Sequence, residues 1–358
     1  MMRKIGFILC SKATQPLPST RIAVLNILPF LHSAGFHTSI LFEPEYPSET
    51  PNISDIYNAV RDSNCDLVVL QKVRGPSAIS LVQRLSAIGI RTIFLVCDRI
   101  DQHMAAAADA TIVVSDYLRL QYPLELQSRI HVVHDGIENP DFFKKYWNPS
   151  SVRLTASLVT SKYLDHLPVI SNVPRWLNIR VIGQYQSGLQ KFRNIWWNWQ
   201  NKSRTERITY LRFLINHRIT CVPWGQDSVY SELSDADIGI IPISSSSSKY
   251  SKDFPPEWML KSANRLTLKM SVGLPVIATP IPAYEPVIIH GVNGFFARSS
   301  RDWDRCLKSL RDPDLRKEMG TSARNSVKSQ FSIQEQANLF LQVVKSIELK
   351  LDDNIPTK

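Results

Sequence analysis

The sequence predicts an α/β protein of two doubly wound, Rossmann-like domains in series, closed by a C-terminal amphipathic helix. Three observations carry that expectation. Short runs of Ile, Val, Leu and Phe recur, apolar on consecutive positions rather than alternate ones, as in parallel strands covered on both faces. Amphipathic stretches of helical period separate them. A polar, proline-bearing stretch over 138–150 splits the pattern into two series, and 358 residues are long for one hydrophobic core but comfortable for two.

In the first series the runs at 4–10, 38–42, 67–70, 92–96, 111–114 and 131–133 read as strands. Between them 20–34, 53–63, 77–88 and 116–121 read as helices, with Gly35 and Gly89 just past two of them, where a left-handed cap is needed. In the second series strands are expected at 153–158, 179–182, 219–222, 238–241, 275–278 and 294–297. Helices are expected at 203–217, 227–234, 261–271 and 302–310. A long helix over 333–349 carries Leu339, Leu341, Val343 and Val344 on its apolar side. The expected division is a first domain over 1–140, a linker over 141–150, a second domain over 151–332, and a helix and tail over 333–358. Two such halves suggest a ligand held in the cleft between them, at the carboxyl ends of the parallel strands. The five consecutive serines at 244–248 read equally as a flexible loop or as one that orders over ligand.

Composition narrows the function. Hydrophobic residues make up 44% and charged residues 21%, ordinary for a globular protein, and no apolar run reaches the roughly 18 residues of a membrane span. The apolar stretch after Met1-Met2-Arg3-Lys4 is too short for a signal peptide and reads as a first buried strand. Five scattered cysteines without a CxxC pair point to reduced thiols in a cytoplasmic setting, with no structural metal. A net charge of +10 suits nucleic acid, an anionic membrane or a phosphorylated ligand. Nucleic acid is the poorest match, since there is no zinc-finger spacing, no RNP-like motif and no long Lys/Arg run. The loop Ser11-Lys12-Ala13-Thr14-Gln15-Pro16-Leu17-Pro18-Ser19-Thr20 contains no glycine, which argues against a dinucleotide cofactor; a P-loop is also missing.

The informative segment runs from Lys261 to Ala278. Read as a helix, its start puts Ala263, Leu266 and Met270 on one side and Lys261, Arg265 and Lys269 in a cationic stripe opposite. Ser262 and Asn264 fall in the first turn, where free N–H groups and the helix dipole favour an anion, a diphosphate above all. The alternative is a solvated basic face.

Past this helix the chain reads Gly273-Leu274-Pro275-Val276-Ile277-Ala278, then Pro282-Ala283-Tyr284-Glu285, then His290-Gly291-Val292-Asn293-Gly294-Phe295-Phe296-Ala297. Asp235-Ala236-Asp237-Ile238-Gly239-Ile240-Ile241-Pro242 precedes it. These blocks resemble the C-terminal half of GT-B glycosyltransferases, which have two facing Rossmann-like domains, and most of all the large retaining group called family 1 or group 1. In the first half Pro18-Ser19-Thr20-Arg21, residues 66–71, Asp98, Asp101 and residues 109–115 fit one subgroup. The resemblance implies transfer of a sugar from a nucleoside-diphosphate sugar to a lipid-linked or polysaccharide acceptor, with no further cofactor. The diphosphate contacts read above from Lys261, Ser262, Asn264 and Arg265 suit such a donor, and Glu285, just after the strand that follows Gly273, is placed to approach donor hydroxyls. The family carries paired glutamates on this helix, for donor sugar and ribose; here Leu260 and Leu268 stand in their places, and leucine cannot hydrogen-bond a sugar. A non-catalytic nucleotide or glycan binder and a sugar-nucleotide epimerase are the two other readings.

Acid/base candidates come from the first half. Asp98 and Asp101 follow the strand at 92–96, where catalytic groups collect, although one of them would serve equally as a helix cap. His134 and Asp135 end another strand as acceptor-side candidates or as a hinge turn, and Arg21 suits an acceptor phosphate or a surface ion pair. Trp196, Trp197 and Trp199, among Lys191, Arg193, Lys202 and Arg204, suit packing or peripheral contact with an anionic membrane at its inner face.

Overall fold

The computed structural model describes residues 4–160, 168–171, 173–183, 199–200, 203–243 and 254–352. It contains two six-stranded, all-parallel sheets. The first is ordered β2-β1-β3-β4-β5-β6, from β1 (Lys4–Ile8), β2 (His37–Phe42), β3 (Leu67–Gln71), β4 (Arg91–Leu95), β5 (Ala110–Val113) and β6 (Ile130–Val132). The second is ordered β12-β11-β10-β7-β8-β9, from β7 (Leu154–Thr160), β8 (Leu177–Gly183), β9 (Ile219–Pro223), β10 (Ile238–Ile241), β11 (Val276–Ala278) and β12 (Phe295–Phe296). Each apolar run expected to be a strand is one. The strand order reverses beside β1 in the first sheet and beside β7 in the second, which marks where ligands bind such sheets.

The chain forms two compact units that do not follow sequence order. Unit 1 is Met1–Glu138, Tyr250–Ala263 and Phe331–Lys358; unit 2 is Asn139–Lys249 and Asn264–Gln330. The expected linker residues 141–150 therefore belong to unit 2, and the C-terminal helix Ile333–Asp352 to unit 1. Both faces of the first sheet need cover. Val68, Leu70 and Phe94 face one core, while Leu67, Val69 and Ile93 face another that the C-terminal helix closes with Ala337, Phe340, Val343, Val344 and Ile347. Burying each such side chain is worth about 1.5–3 kcal/mol, which explains why a helix so distant in sequence returns here. Leu339 and Leu341 are only half-buried, so the packed face is turned slightly from the expected one. Residues 254–263 leave the second series for the same reason: Leu260 is 4% exposed within the first core. Among the described residues no helix is long and apolar enough to cross a membrane.

Two helices of unit 2 matter here. Helix Pro313–Val327 was not expected; its Arg316 is buried and donates to the carbonyls of Leu310, Arg311, Asn148 and Ser150, fixing the stretch that enters the second sheet. Helix Asn264–Val272 ends at Gly273 in the left-handed region (φ 89°), where Leu274 N–H donates to Lys269 O.

Gly320 packs where a methyl group would overlap both Gly273 O and the Trp147 ring. In an exposed helix Gly→Ala stabilises; here the neighbours are a backbone carbonyl and a half-buried ring, so the sign should reverse. Gly320→Ala should cost about 1–3 kcal/mol and lower the melting temperature by several degrees. An unchanged or higher melting temperature would show that this contact can relax.

Candidate functional site

The strand ends of unit 1 hold a charged network. Just past β3, Lys72 adopts a left-handed backbone (φ 58°) and its N–H donates to Leu95 O at the end of β4. That conformation turns a buried lysine toward two carboxylates: its Nζ lies 2.9 Å from Glu49 Oε1 and 2.9 Å from Asp98 Oδ1. The second oxygen of Asp98 faces Lys261 Nζ at 3.4 Å, and Lys261 also reaches Glu257 at 2.5 Å. Glu49 further pairs with Arg74 and Arg99, and Arg74 lies 3.7 Å from Asp101.

Burial opposes the charge of Asp98, but Lys72 and then Lys261 outweigh it and bring its pKa to about 2. Burial likewise works against Lys72, yet the facing carboxylates raise it above its ordinary value. Asp98 therefore remains anionic at neutral pH, a weak base that organises cations rather than taking up protons. Asp101 is the helix cap: it accepts from Met104 N at 3.0 Å at the start of helix Gln102–Ala107.

Asp135 has the opposite environment. Burial raises its pKa, against a hydrogen bond from Ser262 and the nearby His134. His134 contacts Val114 O through Nδ1 at 3.0 Å; because a carbonyl only accepts, that nitrogen carries the proton. Its backbone N–H donates to Gln336, and its ring meets Phe331 at 5.1 Å. His134, Asp135 and Gln336 line a narrow cavity whose other walls, Ile22, Ile112 and Phe340 among them, are apolar. Arg21, in the π-helical turn Arg21–Leu25, is buried and forms a bidentate pair with Glu138 at 2.6 and 3.0 Å. Its guanidinium is thus committed inside unit 1, rather than standing open as an acceptor anchor.

The expected cationic stripe does not form. The helix starts at Asn264, so Lys261 and Ser262 precede it in extended chain, after the 3-10 turn Glu257–Leu260. Lys269 is fully buried; its Nζ contacts Arg265 O at 3.4 Å and its methylenes pack where a side chain on Gly239 would stand. What remains at the helix start is half-buried Asn264 and Arg265. Leu260 lies in the unit 1 core, and Leu268 is half-buried against Val229 and Leu233 of unit 2. Glu285 is exposed in the turn after β11. Trp199 is half-buried in the unit 2 core with Arg207 over its ring, which makes it a packing residue; Trp196, Trp197 and the serine run lie outside the described residues. Sequence reasoning passed over Glu49 and Lys72 and left Asp135 between a site residue and a hinge turn. Only the lysine directly after an apolar strand hinted at them.

Burial, with a smaller contribution from Arg265, lowers the pKa of Lys269 to about 7, against an ordinary 10.5. Between those values the unfolded chain binds the extra proton, so the parent gains stability as pH rises from 7 to 10. Lys269→Met should therefore be more stable than the parent near pH 7, by as much as a few kcal/mol at ~1.4 per unit, and lose that advantage by pH 10. Denaturant unfolding at both pH values reads this directly; a pH-independent difference would mean that Lys269 is charged in the folded state.

Comparison with known proteins matches the fold. No known protein family's sequence profile matches the chain, and no curated protein matches it. Solved structures do. A glycosyltransferase from Rickettsia africae ESF-5 is 15% identical, with TM-score 0.69 over 97% of this chain and 99% of that one. HepE from Anabaena, in complex with UDP and glucose, is 12% identical, with TM-score 0.63 over 97% of this chain and 100% of that one. The lipopolysaccharide outer core galactosyltransferase WaaB is 12% identical, with TM-score 0.61 over 96% and 99%. Across almost its whole length the chain has the GT-B fold of these glycosyltransferases: two Rossmann-like domains, each built on a six-stranded parallel sheet.

Proposed function

We propose that this protein is a glycosyltransferase that moves a sugar from a nucleoside-diphosphate sugar, a UDP-sugar first, to a lipid-linked or polysaccharide acceptor. The observation that carries the reading is the whole-chain likeness to HepE, solved with UDP, with UDP and glucose, and with UDP-glucose. The acceptor hydroxyl oxygen bonds to the anomeric carbon of the donor. The bond from that carbon to the β-phosphate oxygen breaks, and the nucleoside diphosphate leaves. Arg265 and Asn264, in the first turn of helix Asn264–Val272, meet the leaving charge, with Lys261 and Ser262 just ahead of them. Glu285 takes donor hydroxyls, the work that Leu260 and Leu268 cannot do. Asp135, whose pKa burial raises, accepts the acceptor's proton; Asp98, held near 2, keeps Lys261 oriented.

The burial of Leu260 favours a second reading, donor binding without transfer. Release of UDP from a panel of UDP-sugars, with and without acceptor, separates the two: transfer needs acceptor-dependent turnover, and binding alone gives none.

Arg265→Ala should weaken UDP binding roughly ten- to hundredfold, about 1.5–3 kcal/mol, with the melting temperature retained. Titration calorimetry reads it, and an unchanged Kd would remove Arg265 from the donor site. Asp135→Asn should lower kcat about 10²–10⁴-fold with UDP affinity nearly unchanged, since the amide keeps the shape and loses the proton acceptor. Full turnover in that variant would leave Asp135 a structural partner of Ser262.

A further inference from the structure

Helix Arg204–Ile215 of unit 2 carries two apolar faces. Tyr210, Phe213 and Leu214 are buried in the core of the second sheet. On another side Ile208, Leu211 and Ile215 are 46%, 43% and 72% exposed. Spaced i, i+3 and i+7, they form one row about 10 Å long. Exposed Arg204 continues that row, exposed Arg212 flanks it, and half-buried Arg207 on the other flank stacks over Trp199. Single exposed aliphatic side chains need no explanation, but an aligned row edged by arginines does.

We infer that this face docks on an anionic lipid surface. Two features favour a bilayer over a protein partner. The row offers three side chains, far below the roughly 800 Å² per partner of a stable protein interface, whereas attraction to anionic lipid adds to whatever apolar area a bilayer buries. Arginine flanks complement anionic headgroups, and indifferent or neutral surfaces would draw nothing from them. The inference deepens the reading of a membrane-held acceptor and rests on it for its purpose, not for its geometry.

The test sediments the full chain with vesicles of phosphatidylcholine containing about one-third phosphatidylglycerol, and with phosphatidylcholine alone. The parent should partition onto the anionic vesicles, far less onto the neutral ones, and less as salt is raised. Arg204→Gln with Arg212→Gln should weaken partitioning about fivefold per arginine; Ile208→Ser, Leu211→Ser and Ile215→Ser together should abolish it. Equal binding to both vesicle types, no binding to either, or variants that sediment like the parent would overturn the inference. So would light scattering that shows a parent oligomer which the triple variant dissolves, since the row would then be a protein interface. If the triple variant melts early, the arginine pair and the salt series decide. UDP titration runs in parallel: a parent that docks but binds no nucleotide sinks the glycosyltransferase reading and leaves the docking surface standing.

Discussion

Burial of Leu260 in the core of unit 1 is the constraint on which the candidate site depends. A chain that enters a helix of unit 2 at Asn264 would ordinarily approach it from within unit 2. Here residues 254–263 are packed on unit 1 first, with Leu260 in the core and Met259 against Tyr117. One fully buried leucine is worth about 1.5–3 kcal/mol, which offsets the ordering of one or two residues, and the ion pairs of Lys261 with Asp98 and Glu257 add to it. Once Leu260 is fixed, the next residues have little freedom. Lys261 meets Asp98 and Ser262 meets Asp135, and the chain then crosses to unit 2. The position matched to a glutamate by the resemblance is thus, in this chain, an anchor.

The charges around that anchor are arranged so that none is buried alone. Lys72 would be costly in its half-apolar setting without Glu49 and Asp98, and Asp98 equally so without Lys72 and Lys261. The left-handed backbone of Lys72 costs on the order of 1 kcal/mol or more, and the paired carboxylates over-determine it. Such a network adds little net stability. What it does is hold Lys261 in one direction, something a flexible four-carbon side chain does not do unaided.

The fold was largely legible because parallel strands leave an unmistakable trace. All-apolar runs such as Leu67-Val68-Val69-Leu70 cannot be alternating edge strands, and the twelve strands fell where these runs are. Helix Pro313–Val327 left a weaker trace: its buried residues are Arg316, Met319, Gly320, Ala323 and Val327, a set broken by a charge, a glycine and an alanine. The site was less legible, and for a related reason. A helical wheel sorts residues by polarity, so it set Lys269 beside Arg265 in solvent, although a lysine stem packs well as hydrocarbon once its charge can be shed. Nor does polarity reveal that a lysine after a strand is left-handed, or that Asp101 rather than Asp98 caps the following helix.

Two aspartates in one unit have been driven in opposite directions by what surrounds them. Asp98 faces two lysines and is held near 2; Asp135 faces a hydroxyl and an apolar cavity, and burial raises it. In the proposed reaction, environments that separate two carboxyls in this way suit one to a fixed charge and the other to accepting a proton. Lys261 and Ser262, adjacent in sequence, are the contacts to each of them, and Asn264 and Arg265 come directly after. Lys261 and Ser262 thus tie one short segment of unit 1 to both carboxyls. Leu260, directly before them, anchors that segment in the unit 1 core, so a substitution there would disturb both contacts together.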